Sequence, residues 1–300
     1  YFENLNETIK EYFKVLSDEI PDFLYDYINT KPMQRIGKIG CGCGTDYTKI
    51  FNNKFFYSNL DHSIGVALII WNFTKNKKQT IAGLFHDIST PVFKHCIDFM
   101  NGDHKTLESP EELTTYMIKN SKEIMELLER DNIKVDEVDD YHIYPIADND
   151  TPKLSADRLE YTFTNGLYFK EVWNVQKIKE IYSNIEIQIN EDNIQELGFK
   201  DISITEKFIK NMSTLSISYM DSKTKLSMQF LSDIIKKMYN LRFHSLNNWL
   251  RLHGEEHFGC KPDTQQFYNV VSGMSQVRAT MLGKRAYPAT YKGWRVIIDN

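Results

Sequence analysis

Leu84-Phe85-His86-Asp87-Ile88 closes an apolar run in a chain of 300 residues. A histidine and a carboxylate side by side among bulky apolar neighbours are costly to bury unless something binds them, because charged groups are seldom buried without a partner. A metal ion is the simplest partner. Imidazole and carboxylate suit zinc, manganese, iron or nickel, and carboxylate suits magnesium as well. Two adjacent ligands make no site alone, so the reading turns on what other segments supply.

Upstream stands Asp61-His62-Ser63-Ile64-Gly65-Val66-Ala67-Leu68, and downstream Leu154-Ser155-Ala156-Asp157-Arg158-Leu159-Glu160-Tyr161. The order is His62, then His86-Asp87, then Asp157. With the flanking residues of each segment, it resembles the H…HD…D signature of the HD superfamily of metal-dependent phosphohydrolases. Within that superfamily the three segments are most similar to the deoxynucleotide triphosphohydrolase branch and its uncharacterised bacterial relatives. The resemblance covers about residues 32–165, roughly half the chain.

The resemblance implies a mainly α fold, an HD-domain helical bundle. It implies one divalent metal ion (Zn, Mn, Fe, Ni or Mg) on His62, His86, Asp87 and Asp157. Such an ion lowers the pKa of its water and acts as a Lewis acid on phosphoryl oxygens. The expected activity is hydrolysis of a nucleotide or another small phosphoester. His104 lies in a segment similar to the family's H-E-x-x-S, and His95 matches a histidine of its H-D-x-x-H-x-P-x-x-H run, so both are expected in proton transfer. An imidazole suits that role because its ordinary pKa is near 6.5. Tyr161, four residues after Asp157 and on the same helix face, is expected against the substrate's sugar, and Arg158 against its phosphates. Arg35 belongs to Met33-Gln34-Arg35-Ile36, which resembles the family's P-x-x-Q-R-L segment, and is the third expected substrate contact.

Several positions depart from the family pattern. Lys105 replaces a glutamate, Thr90 a histidine, and Asn59 and Asn165 two arginines, while Cys41 falls near the glutamine that reads the nucleoside. Arginine forks are the usual grip on a polyphosphate, so these departures point to a shorter or less charged phosphoester. Two alternatives stay open. His104 and His142 can complete a two-metal centre of the phosphodiesterase or oxygenase kind. A non-catalytic nucleotide-binding regulator is the other.

The composition, 41% hydrophobic and 26% charged, fits a globular chain, and the net charge of -5 speaks against a general binder of nucleic-acid polymers. The longest uninterrupted apolar run, Ile64 to Trp71, is far short of the ~20 residues of a membrane span. No secretory signal pattern opens the chain. Cys41, Cys43, Cys96 and Cys260 read as reduced thiols, which sets the expectation of a cytoplasmic protein with no membrane partner.

Along the chain, periodicity predicts helices in residues 5–29 split by Pro21, with Lys31-Pro32 as a stop. Further helices are expected over 61–74, 77–87, Ser109 to Glu129, Ser155 to Asn165, Phe208 to Met220, Lys225 to Tyr239 and from Leu246 to about Gly254. Gly37 to Gly44 reads as a connector without a P-loop pattern. Ile185 to Ile189 alternates as a strand followed by a turn, and Trp294 to Ile298 reads as another strand. The whole reads as one predominantly helical domain, residues 1–300, with the HD core at about 32–165. Residues 170–300 form a helical extension with short strands, open to roles as lid, homo-oligomer surface or further core.

Overall fold

The computed structural model describes residues 1–47, 51, 53–101, 113–150, 152–220 and 222–240. They form helices α1 (Glu7–Leu16), α2 (Asp22–Ile28), α3 (Lys31–Ile36), α4 (Asn59–Thr74), α5 (Lys77–Phe85), α6 (Cys96–Asn101), α7 (Thr114–Lys119) and α8 (Lys122–Arg130). After these come α9 (Ala156–Thr164), α10 (Val175–Tyr182), α11 (Ile202–Met220) and α12 (Ser222–Asn240). The strands β1 (Ile185–Ile189) and β2 (Gln195–Phe199) pair antiparallel, with Ile185 opposite Phe199 and Ile189 opposite Gln195. The fold is mainly α with a small β element. The helix from Leu246, the strand from Trp294, the helix start at Ser109 and Cys260 lie outside the described residues.

Helix α4 is the axis of the molecule. It is apolar on nearly every side, every residue from Asn59 to Ile70 is buried, and it packs against α1, α3, α5 and α9. A helix with that pattern belongs at the centre of a bundle. It begins two residues before the expected Asp61. Ser58 is the N-cap: its hydroxyl accepts from the Asp61 N–H at 3.0 Å, and the Asp61 carboxylate accepts from the Ser58 N–H at 2.7 Å. Asp61 is therefore the third residue of a capping box. At the other end Lys75, at φ 49°, stops the helix in the left-handed region. Asn76 then caps α5 through the Lys78 and Gln79 N–H groups.

This tight turn makes α4 and α5 an antiparallel pair. Their approach is close enough that a Cβ on Gly83 would lie 2.2 Å from the Ile70 Cδ1. The pairing carries the start of α4 towards the end of α5, which brings His62 opposite His86. Helix α5 stops at Phe85 rather than Asp87, and His86 and Asp87 enter a run of turns.

Other boundaries differ from the sequence reading as well: α11 begins at Ile202 rather than Phe208, and α12 at Ser222 rather than Lys225. Lys31-Pro32 opens α3 instead of ending α2; a proline in the first turn costs no intrahelical hydrogen bond. The helix expected to run through to Glu129 is two helices, because Ser121 caps a new one by accepting from the Ile124 N–H.

One ion cluster ties the helices together away from the site. Asp131, at the end of α8, accepts from the Tyr27 hydroxyl at 2.9 Å, the Lys77 Nζ at 2.8 Å and the Arg130 Nε at 3.0 Å. Burial alone would raise its carboxyl; Arg130, Lys77 and Tyr27 outweigh that and hold it down at about 2. A depressed carboxylate stabilises the fold fully above its unfolded pKa of ~3.9 and loses that contribution as pH falls through the folded value. Asp131→Asn is expected to lower stability at neutral pH by about 1–3 kcal/mol, the scale for hydrogen bonds to charged groups. Denaturant melts should show the gap between wild type and variant closing as pH falls from 4 towards 2.

Candidate functional site

His62 stands on the second turn of α4, His86 and Asp87 at the end of α5, and Asp157 in the first turn of α9. The structure brings all four together. His62 and His86 face each other, Nε2 to Nε2, at 3.2 Å. Asp157 Oδ1 lies 3.1 Å from the His62 Nε2 and 3.7 Å from the His86 Nε2, and Asp87 Oδ2 is also 3.7 Å from the His86 Nε2. His62, His86 and Asp87 are buried, and one ligand atom of each falls within 4.8 Å of the others.

The remaining ring nitrogens are already engaged. The His86 Nδ1 bonds the Gly83 carbonyl at 2.7 Å, and the His62 Nδ1 bonds the Glu160 carboxylate. An Nδ1–H donated on the far side leaves each Nε2 with a lone pair towards the centre. Two lone pairs and two carboxylates converging in a buried place are a donor set suited to a cation. Without one, a proton takes its place. Burial lowers the proton affinity of His62, but the carboxylates of Glu160 and Asp157 more than restore it, and the ring titrates at about 10. The Asp157 carboxyl, which burial would raise, is held down at about 2 by His62 and His86. A metal ion would displace the His62 proton, since ligands bind metals in deprotonated form.

Glu160 is a site residue that the sequence reading missed. It is fully buried and accepts from the Tyr57 hydroxyl at 2.6 Å and the Tyr12 hydroxyl at 3.3 Å as well as facing His62. Buried carboxylates behind a ligating imidazole fix its tautomer and ring orientation. Room for it comes from Gly65, where a Cβ would lie 2.6 Å from the Glu160 Oε1. The signal was present in the sequence: Gly65 lies three residues from His62 and Glu160 three from Asp157, each pair on one helix face.

The cluster opens into a cavity of about 240 Å³. Its wall includes Tyr161, as expected from the spacing to Asp157, and His95. His95 bonds the buried Asp98 through Nδ1 at 3.0 Å. Cys41 and Cys43, both free thiols, also line it, so the glycine-rich stretch is part of the wall and more than a connector. So do Tyr219 and Thr224 to Met228 in part, which gives the segment after residue 170 a share in the site. Burial pushes the Cys41 thiol well up and the Cys43 thiol to about 11, despite nearby Lys94, so both are neutral.

Two expected substrate contacts stand elsewhere. The Arg158 guanidinium does not line the cavity. It donates to the Lys153 carbonyl at 2.7 Å, reaches Asn149 and pairs with Asp148 at 3.1 Å, pinning the loop that leads into α9. Arg35 is buried and donates to the Ile88 carbonyl at 2.8 Å, steadying the turn after Asp87; it too is absent from the cavity wall. His142 is exposed, bonds Asp140 at 2.8 Å and lies 3.5 Å from Asp148; its ring packs on Tyr141, whose ring in turn packs on His86. His104 lies outside the described residues.

Asn59 and Thr90, each a departure from the family pattern, are in contact: the Asn59 amide donates to the Thr90 hydroxyl at 3.1 Å. The Asn59 carbonyl oxygen accepts from the Lys94 ammonium at 2.8 Å, and Lys94 also donates to Asp87 at 3.1 Å. Burial would raise the Asp87 carboxyl, but Lys94 and the two histidines keep it far below the usual range.

No family model matches the chain. It is 30% identical over 144 residues to the uncharacterised protein YdhJ of Bacillus subtilis (strain 168), a match covering 48% of this chain and 43% of that protein. It is 24% identical over 267 residues to the uncharacterised protein MG461 of Mycoplasma genitalium, covering 78% of this chain and 62% of that one. The chain thus spans between about two fifths and three fifths of the length of these relatives. No helix among the described residues is long and apolar enough to cross a membrane.

Proposed function

We propose that this chain is a metal-dependent phosphohydrolase of the HD type, acting on a nucleotide or another small phosphoester. The observation that carries the proposal is the convergence of two imidazole nitrogens and two carboxylates, from three segments distant in sequence, on one point beside a cavity. His62, His86, Asp87 and Asp157 would hold one divalent ion. That ion would supply a nucleophile at neutral pH and neutralise charge on the phosphoryl oxygens.

The chain's own residues have separate tasks. Glu160 and the Gly83 carbonyl keep the two rings turned so that Nε2 faces inward. The burial of His62, His86 and Asp87 strengthens each charge interaction with the phosphoryl group. His95, oriented by Asp98, supplies the proton that the leaving oxygen needs when its bond to phosphorus breaks. Tyr161 and its aromatic neighbours on the wall give a flat face for the organic part of the substrate. A cavity of this size, aromatic with a few charged groups, also fits a mid-sized ligand better than a polymer.

Hydrolysis measured over a panel of nucleotides and simple phosphomonoesters, with Mn, Zn, Fe, Ni and Mg each supplied separately, tests the reading. Metal-dependent release of phosphate, pyrophosphate or triphosphate from at least one member is the expected result. A metal-loaded protein inert towards the whole panel sinks it.

A further inference from the structure

The turn between Asp87 and α6 carries a lysine where the backbone suits glycine. Lys94 sits at φ 43°, in the left-handed region that a residue with a Cβ rarely adopts. Its N–H closes the turn on the Pro91 carbonyl at 2.8 Å. The neighbours Val92, Phe93, Cys96 and Ile97 are buried against Met228, Leu231 and Ile235 of α12, and this packing holds the conformation. The side chain is buried as well, 8% exposed, an uncommon place for an ammonium. A position that combines backbone strain with a buried charge signals a side chain with a task.

The ammonium has three donors. One goes to Asp87 at 3.1 Å, which neutralises it, and one to the Asn59 carbonyl oxygen at 2.8 Å, which helps to aim it, and Lys94 forms part of the cavity wall. The third donor is left for a ligand. Asp87 is at once an acceptor for Lys94 and a member of the cluster, so an anion oxygen at the centre of the cluster falls next to the ammonium. Through Asp87 the Lys94 ammonium stands beside the cluster, and Tyr161, Tyr168, Phe169 and Tyr219 add aromatic wall to the same cavity, with Lys225 as a second lysine on its lining.

We propose that Lys94 is the phosphate-binding cation of this site: its ammonium takes a non-bridging oxygen of the substrate's phosphoryl group, and the aromatic wall takes a flat ring on the leaving group. The substrate class is therefore a phosphoester of the nucleotide kind gripped by one lysine at the reacting phosphorus. The inference rests on the phosphohydrolase reading above. It assigns Lys94 a task beyond neutralising Asp87.

Calorimetric titration separates the two. Mn²⁺ is titrated into wild type, Lys94→Met and Lys94→Gln, and inorganic phosphate is then titrated into each protein with and without Mn²⁺. Gln keeps a donor for Asp87 and so guards against a variant that fails to fold. The expected result is Mn²⁺ affinity within about threefold of wild type in both variants. Phosphate affinity is expected to fall about 10- to 100-fold, the scale of a lost hydrogen bond to a charged group. Equal phosphate affinity in wild type and variants overturns the inference and leaves the phosphohydrolase reading standing. A fall in Mn²⁺ affinity as large as the fall in phosphate affinity overturns it too, because Lys94 then only positions Asp87. A wild type that binds no metal strikes the phosphohydrolase reading instead, and the metal-free phosphate titration still decides the role of Lys94.

Discussion

If the proposed site holds a divalent ion, Asp157→Asn is expected to abolish the ion's thermal shift and to lower the proposed phosphoester hydrolysis by at least ~10³-fold, beyond the 10–100-fold cost of losing an outer-shell partner. The substitution keeps the shape of the side chain and removes one negative charge from a cluster of two imidazoles and two carboxylates. Asp157 Oδ1 approaches both Nε2 nitrogens, at 3.1 and 3.7 Å. With it neutral, a cation there is balanced by Asp87 alone, which already shares its charge with Lys94. Ion binding to the native state stabilises by about 4 kcal/mol at a thousandfold excess over Kd. For a chain of this size that is a rise in Tm of about 8 °C, at ~2 °C per kcal/mol. Calorimetric scans with and without Mn²⁺ should show that rise in the wild type and none in the variant. An ion-dependent rise of the same size in Asp157→Asn would remove Asp157 from the proposed ligand set.

The part of this site that reads from sequence is the part written in local pattern. His62, His86-Asp87 and Asp157 stand out because their three segments, in order and with their flanking residues, resemble the H…HD…D signature, and Tyr161 because that family carries a tyrosine four residues after the last aspartate. Their meeting point does not read locally. It depends on the α4–α5 turn at Lys75-Asn76 and on α9 crossing α4, contacts between residues up to about a hundred positions apart.

Lys94 and Glu160 stayed hidden for related reasons. Lys94 reads as one more surface charge, and only the left-handed turn and the packing of α12 on α6 turn it inward. Glu160 reads as the polar side of an amphipathic helix, yet it faces α4 because Gly65 leaves a space for it. Arg158 is the converse case. Its place beside Asp157 made it a substrate contact on paper, but adjacent residues on a helix point about a quarter-turn apart, and its side chain is spent on the loop from Asp148 to Lys153. Asn59 and Thr90 looked like two independent departures. They are one hydrogen-bonded pair that also steadies Lys94, and no local signal links positions so far apart.

Glu160→Gln is expected to weaken ion binding about 10- to 100-fold, the usual effect of removing an outer-shell carboxylate, and to lower stability by about 1–3 kcal/mol. The carboxylate has acceptors only, and its neighbours here are donors: the Tyr57 hydroxyl at 2.6 Å, the Tyr12 hydroxyl at 3.3 Å and the His62 ring. A carboxamide of the same shape brings an NH₂ group into that ring of donors. The NH₂ either faces the Tyr57 and Tyr12 hydroxyls, which can accept it but then lose the acceptor for their own protons, or it faces His62, which must give up its Nδ1 proton and move it to Nε2. In the second case the lone pair leaves the centre and the ion loses a ligand. Gly65→Ala attacks the same contact from the opposite side without changing a charge, since its Cβ would lie 2.6 Å from the Glu160 Oε1. Both variants should therefore weaken Mn²⁺ binding while Tyr57→Phe, which leaves the His62 contact in place, weakens it less. If Glu160→Gln melts cooperatively and binds Mn²⁺ as the wild type does, Glu160 is a structural acid for the two tyrosines and has no part in setting the His62 ring.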